Sequence, residues 1–438
     1  MIINFSISNF GSIKDKQTLS FEATKSTDLE DYYIIPINGF RLLKFGLIYG
    51  ANASGKTTVL KAIDFLRDLV LKPAEKKTEP LDFSPFLFDS ASPNQNSSLS
   101  IDFIQNNTRY YYEVTFNKHA IVEEKLNYYK PGKGNVFKRT TDSAQQFTEI
   151  RFNPTLKADK QLEKALTANT LWNNTVLGGF LKTNIELPEL KDVTDWFSNY
   201  LKPFVSTTTR LDSYVSNHIA QSEINKNTVV DILKKADFNI SDILINKEEK
   251  DIPNEFIAFL ESQIKEDTAS KEQMIKIKDN GKFVSTKIEF EHTINDVKYP
   301  LAFKFESLGT QRYYGFAGLL SMLINGSIAF PVDELEASLH PDLFVHFIVS
   351  LLINVKQSQV IATTHNRDIL NNKDIFRNDA IWFTEKNAFG ATELYSLADF
   401  DTKVIRDTTN IYRAYTAGKL GAVPNLGDNY INKDNEGK

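Results

Sequence analysis

The sequence predicts an α/β fold: a mixed central sheet with an antiparallel β-subdomain and a helical insertion. Three observations predict it. Residues 44–70, KFGLIYGANASGKTTVLKAIDFLRDLV, pass from an apolar run through a glycine-bounded loop into a helix-period stretch. Residues 327–334, SIAFPVDE, are a second apolar run, and it ends in two adjacent carboxylates. Residues 99–129 carry three alternating segments parted by short polar turns, the pattern of an antiparallel meander.

Composition sets the outer limits. A chain of 438 residues, 41% of them hydrophobic, is long enough for two or three domain-sized units with a real core. Its net charge of −5 gives no global basic field to recruit nucleic acid, so any such contact is local. The absence of cysteine excludes disulfides and thiolate metal sites and fits a reducing compartment. The opening MIINFSISNF lacks the basic start and apolar core of a signal peptide, and no run reaches the ~18 residues that span a bilayer. A soluble, cytoplasmic chain without a membrane partner is therefore expected. The six histidines are scattered, and His340 with His346 is not a zinc spacing, so the histidines give no metal site.

Taken in order, residues 2–8 alternate on Ile3, Phe5 and Ile7, and Gln17 to Phe21 follow as a second strand after the turn Asn9-Phe10-Gly11-Ser12. In the phosphate loop, Gly50, Gly55, Lys56 and Thr57 fill the four set places of G-x-x-x-x-G-K-[ST]. The glycines let backbone N–H groups turn inward on an anion, Lys56 reaches the β and γ phosphates, and Thr57 offers a hydroxyl to Mg²⁺. The flanks agree. Phe45, Leu47, Ile48 and Tyr49 read as a buried strand, while Val59, Ile63, Leu66 and Val70 share one helix face.

Residues 72–97 read as a surface excursion holding the apolar knot Phe83 to Phe88. In the meander, Tyr110, Tyr111 and Tyr112 could stack bases, but aromatics are strand formers and sheet packing is the expected role. Residues 141–283 read as a compact helical insertion, with helices near Lys160 to Leu166, Lys191 to Tyr200, Thr228 to Ala236 and Asn254 to Lys265. Heptads do not persist there, so no long coiled-coil arm is expected, and the run Lys247 to Asp251 reads as a solvated face. Alternation returns at 284–306 as a hairpin leading into Ser307-Leu-Gly309-Thr310-Gln, which opens an apolar helix over Tyr314 to Ile324.

Asp333 and Glu334 close the apolar run from Ser327, where a phosphate-loop enzyme needs one acid for the Mg²⁺ water shell and one to orient and deprotonate water. Pro331 stands two residues earlier, so that strand is expected to be irregular or short. Gln359 to Thr363 form a further strand, and His365 after it can reach the γ-phosphate or the water. Strands at 379–383 and 393–397, a helix near 402–416 and a polar tail from Asn425 complete the chain. The expected segments are 1–140, an N-terminal lobe with the phosphate loop and meander; 141–283, the insertion; 284–400, a C-terminal lobe; and 401–438, a helix and tail.

Phosphate loop, Ser-x-Gly-Thr-Gln helix start, Asp-Glu strand and histidine strand, in that order, resemble the ABC-type P-loop ATPase head, and most closely its SMC, RecF and OLD-like branch. Within it, Asp333-Glu-Leu-Glu-Ala-Ser-Leu-His340-Pro, Thr364-His365-Asn366 and Tyr415 to Pro424 look like the ATPases of bacterial anti-phage abortive-infection systems of the RloA, AbiL and PARIS type. The resemblance implies that Gly50 to Thr58, with Asn52, Ser54 and Thr58, bind ATP, and that Thr57 and Asp333 hold Mg²⁺. It implies Glu334 and His365 as catalytic residues and His365 as the switch histidine. Ser307, Gly309 and Thr310 would be the signature that closes on the partner subunit's γ-phosphate, with Leu339 and His340 at the dimer interface.

Two nucleotides would thus lie between two copies of the chain, in a homodimer or higher oligomer. The signature reads Ser-Leu-Gly-Thr-Gln where transporters carry a double glycine, so its helix cap must tolerate a threonine. The segment around Phe83 to Phe88 stands where the glutamine loop would be.

The stretch after the last strand is short for another domain, so a nuclease would be a separate chain. The implied function is the nucleotide-dependent sensor or scaffold of a defence system that controls a separate toxic effector, with nucleic acid or a phage protein as trigger. The alternative is a RecF- or SMC-like DNA-binding ATPase in repair or chromosome maintenance, which calls for a salt-sensitive DNA affinity. A transporter's cytoplasmic ATPase is disfavoured by the long insertion between loop and carboxylates.

Overall fold

The computed structural model describes residues 1–130, 132–156, 160–236, 238–251, 282–400 and 410–424. The chain forms two compact units: Met1–Thr208 with Leu323–Ala337 and Phe347–Lys438, and Thr209–Met322 with Ser338–His346.

The first unit is built on β5 (Phe45–Gly50), the middle strand of a five-stranded sheet in the order β14-β15-β5-β16-β17. Strands β14 (Ala329–Val332), β15 (Gln359–Thr363), β5 and β16 (Ile381–Lys386) run parallel, and β17 (Thr392–Ser396) closes the edge antiparallel. Phe45, Leu47, Ile48 and Tyr49 are all buried. A parallel strand covered on both faces needs that unbroken apolar run. After the single turn α1 (Glu30–Tyr33), helix α2 (Lys56–Leu71) follows the loop. Its face of Val59, Leu60, Ala62, Ile63, Leu66 and Val70 is buried against β5, β14 and β15 on one side and β1 on the other.

Strand β1 (Ile2–Ser8) belongs to a seven-stranded antiparallel sheet in the order β10-β9-β8-β7-β6-β1-β2. Its hairpin partner β2 (Gln17–Ser20) lies on one side and the meander β6 (Ser97–Gln105), β7 (Thr108–Phe116) and β8 (Ile121–Tyr129) on the other. Asn106 and Asn107 turn at φ 47° and 58°, which suits a two-residue hairpin. Tyr110 and Tyr112 are buried in the sheet and Tyr111 is half-buried, so this trio packs rather than offering a stacking platform.

The meander runs two strands further than expected, through β9 (Lys133–Asp142) and β10 (Phe147–Phe152). The alternation there was hidden because one inward position is Arg139, fully buried beside Glu124. The small hairpin β3 (Ile34–Ile37) and β4 (Phe40–Leu43) was not foreseen either. Helices α3 (Lys160–Asn169), α4 (Val176–Leu181) and α5 (Pro188–Asp195) follow.

Pro331 does lie inside β14, paired with Ile361 of β15. The carbonyls of Ala329 and Pro331 accept from Lys202 and Val205, and the Asp333 N–H donates to Val205, so residues 201–205 run beside β14 as an irregular outer strand. N–H and C=O of one residue point to the same side of a strand, so the N–H that Pro331 lacks falls on this loose edge and not in the ladder with β15.

The second unit holds α6 (Leu211–Ala220), α7 (Lys226–Lys235) and an antiparallel sheet of β11 (Ile240–Asp251), β12 (Lys282–Ile294) and β13 (Val297–Ala302). Within it, Gly318 of α8 (Leu308–Asn325) lies so close to α6 that a Cβ there would strike Val215. The stretch 141–283, expected as helical, does carry α3 to α7, yet it also holds β10 and β11. Lys247 to Asp251, read as a solvated face, lie in β11. The helix expected at Asn254 to Lys265 and the polar tail fall outside the described residues. Of the helix near 402–416 the described part is α10 (Ile411–Thr416). The apolar residues after His340 form helix α9 (Pro341–Asn354).

Candidate active site

The C-terminal ends of β5, β14 and β15 meet where the loop 50–55 turns into α2, the place where parallel sheets bind ligands. Gly50 ends β5, Asn52, Ser54 and Gly55 lie in the loop, and Lys56, Thr57 and Thr58 open α2. A cleft of about 390 Å³ is lined by Asn52 to Thr58, Glu334, His365 and, unforeseen, Ser12. Gly55 turns at φ +111°, and a Cβ there would collide with the Thr392 hydroxyl. The loop is backed by hydroxyls: Ser54 Oγ meets Thr384 Oγ1 at 2.6 Å, Thr392 donates to the Ser54 carbonyl at 2.7 Å, and Ser12 bridges Thr392 and Thr58 at 2.8 and 3.0 Å.

Lys56 is buried, and its Nζ donates to the loop's own carbonyls, Gly50 at 2.9 Å and Ala51 at 3.0 Å. Burial lowers its pKa, and the carboxylates of Asp333, Glu334 and Glu336 pull the other way. The Thr57 hydroxyl lies 3.0 and 3.2 Å from the two oxygens of Asp333, whose Oδ1 also accepts from Thr363 at 2.5 Å. Glu334 sits at φ +46°, a left-handed conformation that costs a non-glycine residue roughly 1–3 kcal/mol and gathers at functional sites. Its N–H donates to Thr363 Oγ1 at 2.9 Å, which holds the strained turn in place.

His365 stands between these groups. Its Nδ1 is 3.4 Å from Lys56 Nζ and its Nε2 is 3.4 Å from Glu334 Oε1. An ammonium has only donors, so Nδ1 accepts and Nε2 carries the proton toward Glu334. A hydroxyl and a carboxylate supply the hard oxygens that Mg²⁺ takes, and an amine resting on loop carbonyls is free to turn to phosphate oxygens. The residues therefore fit a Mg²⁺ nucleotide. Among the described residues no group of three or more His, Cys, Asp or Glu could hold another metal, and no helix is long and apolar enough to cross a membrane.

Ser307, Gly309 and Thr310 belong to the second unit and start α8. Ser307 Oγ accepts the Thr310 N–H at 3.0 Å as a helix cap and meets the Thr310 hydroxyl at 2.8 Å. Thr310 thus takes part in the cap through both its N–H and its hydroxyl. Leu308 beside it is exposed, and so is His340. The Phe83 to Phe86 segment tucks under the N-terminal turn: Phe86 N–H donates to Asn9 Oδ1 at 3.0 Å and Phe83 stacks on Phe10. It contains no glutamine.

Residues 47–371 match the family described as "AAA domain, putative AbiEii toxin, Type IV TA system", and the chain belongs to that family. No curated protein matches. Among solved structures, it is similar to the SMC head domain from Thermotoga maritima, at 12% identity and a TM-score of 0.39 over 90% of this chain and 98% of that one. It is also similar to an SmcHead bound to the C-winged helix domain of ScpA, at 13% identity and TM-score 0.44 over 90% and 97%. A third is the Smc head domain with an extended coiled coil bound to the C-terminal domain of ScpA from Pyrococcus furiosus, at 14% identity and TM-score 0.40 over 96% and 98%.

Proposed function

We propose that this chain binds and hydrolyses ATP and uses that cycle as the sensor or scaffold of an anti-phage defence system, restraining a separate toxic effector, a nuclease in the simplest case. The observation that carries the reading is that Lys56, Thr57, Glu334 and His365 line one cleft, with Asp333 hydrogen-bonded to Thr57. Lys56 binds phosphate oxygens. Thr57 and Asp333 would hold Mg²⁺, which when bound neutralises charge on the phosphates. Glu334 takes a proton from water aligned with the γ-phosphate, and His365 Nε2–H orients that carboxylate. The family description, with its toxin association, supports a toxin-class effector. The signature Ser307, Gly309 and Thr310 acts in trans in this reading, so two copies enclose two nucleotides.

Glu334→Gln removes the base and keeps the shape. Hydrolysis is expected to fall by about 10² to 10⁴-fold, and light scattering with saturating ATP and Mg²⁺ should read a dimer or larger. An unchanged monomer mass would sink the sandwich. Purifying this variant from its host with ATP and Mg²⁺ names the partner: a stoichiometric protein supports the effector reading, whereas nucleic acid alone favours a repair-type clamp.

A further inference from the structure

Two loops leave the ends of neighbouring parallel strands, 333–337 after β14 and 364–366 after β15. Besides the bond from the Thr363 hydroxyl to Asp333 Oδ1, three hydrogen bonds stitch them together. Glu334 N–H donates to Thr363 Oγ1 at 2.9 Å and Leu335 N–H to the Thr363 carbonyl at 3.1 Å, both acting on a residue still inside β15. Only the third reaches His365: its N–H donates to Glu336 Oε1 at 2.5 Å. The neighbouring N–H groups are held otherwise, Thr364 by the Ile48 carbonyl and Asn366 by Thr364 Oγ1.

A carboxylate is a costly choice for this task. Asp333 and Glu334 already bring two negative charges, and Glu336 adds a third within four residues. Its Oε2 is buried without a hydrogen-bond partner among the described residues, and so is the hydroxyl of Tyr49, whose ionisation burial and the Glu336 charge both oppose. Unpaired buried polar atoms destabilise a fold. A group that opposes the fold yet stands at a site points to use in that site.

We propose that Glu336 is a positioning residue: its Oε1 holds the His365 backbone so that the imidazole spans Glu334 and Lys56. The proposal rests on the ATPase reading above. Reach is what the bond controls, since both ring contacts are already 3.4 Å long and a displacement of about 1 Å at such a site costs up to ~10²-fold in rate.

The test uses the full chain and compares wild type with Glu336→Ala, Glu336→Gln, His365→Ala and the double alanine variant. Glu336→Ala should lower kcat about tenfold with KM and melting temperature near wild type. Glu336→Gln should stay within about threefold, because the amide oxygen accepts the same bond. The double variant should be no slower than His365→Ala alone, as expected of residues acting as a unit. Effects that multiply, or an unaffected Glu336→Ala, overturn the proposal.

A second readout needs no turnover: diethyl pyrocarbonate labelling, resolved by mass spectrometry, should change rate at His365 in Glu336→Ala and not at the other histidines. An ATPase-silent wild type with that labelling change would refute the hydrolysis reading and leave the positioning intact. An unchanged His365 label overturns the positioning whatever the rates.

Discussion

Single buried charges hold much of the first unit together. Glu124 and Arg139 are both fully buried, and Glu124 also accepts from the Val176 N–H and the Tyr112 hydroxyl, fastening β8 to the start of α4. Asp379 does similar work between distant segments, accepting from Arg377 at 2.8 and 3.0 Å and from the Thr24 N–H and hydroxyl at 2.8 Å. Burial pushes its pKa up, but the Arg377 guanidinium and the Thr24 donors outweigh that and hold the carboxyl below its ordinary value. A depressed folded pKa means the stabilisation is complete above the unfolded value of about 3.9 and is lost as pH falls through the folded one. Asp379→Asn should therefore cost roughly 3–5 kcal/mol at pH 7, since it strands a buried arginine. The gap from wild type should narrow in urea unfolding at about pH 3. An equal gap at both pH values would refute this account.

Elements differ in how openly the sequence declares them. Strand β5, the loop and α2 were legible because an unbroken apolar run, a glycine-bounded turn and a three-and-four spacing are each local patterns. At Gly55 the requirement is both conformational and steric, so Gly55→Ala should abolish binding of a fluorescent ATP analogue and lower stability by roughly 1 kcal/mol or more. Normal binding by that variant would show that the loop relaxes at little cost. Strands β9 and β11 were illegible for a shared reason. Arg139 occupies an inward position of β9, and β11 ends in Asn-Lys-Glu-Glu-Lys-Asp, so charged residues broke the alternation that marks a strand. In the first case the partner that allows burial, Glu124, comes from another strand and carries no local signal.

At the scale of the whole molecule, the catalytic candidates lie in the first unit and the signature candidates in the second. The proposed sandwich pairs each loop with the signature of another copy, which makes a mixing experiment decisive. Lys56→Ala and Gly309→Asp should each be inactive alone. Mixed in equal amounts, they form heterodimers with one intact composite site, and about a quarter of the wild-type rate should return. No recovery, with heterodimers present by native mass spectrometry, would place the signature in the same copy as its loop, and a Gly309→Asp variant active alone would place it outside the reaction.

The sequence by itself determined the α/β class, the phosphate loop, the carboxylate pair and His365 as candidates, and the family, because each is written in neighbouring residues whose spacing the backbone period sets. Only the tertiary structure decided what those residues touch. The Thr57 to Asp333 contact, the seat of His365 between Lys56 and Glu334, the entry of Ser12 into the cleft and the grip of Glu336 on the His365 backbone join positions far apart in the chain or on separate loops. Parallel strand order and loop register fix such contacts, and neither is encoded in any local window of residues.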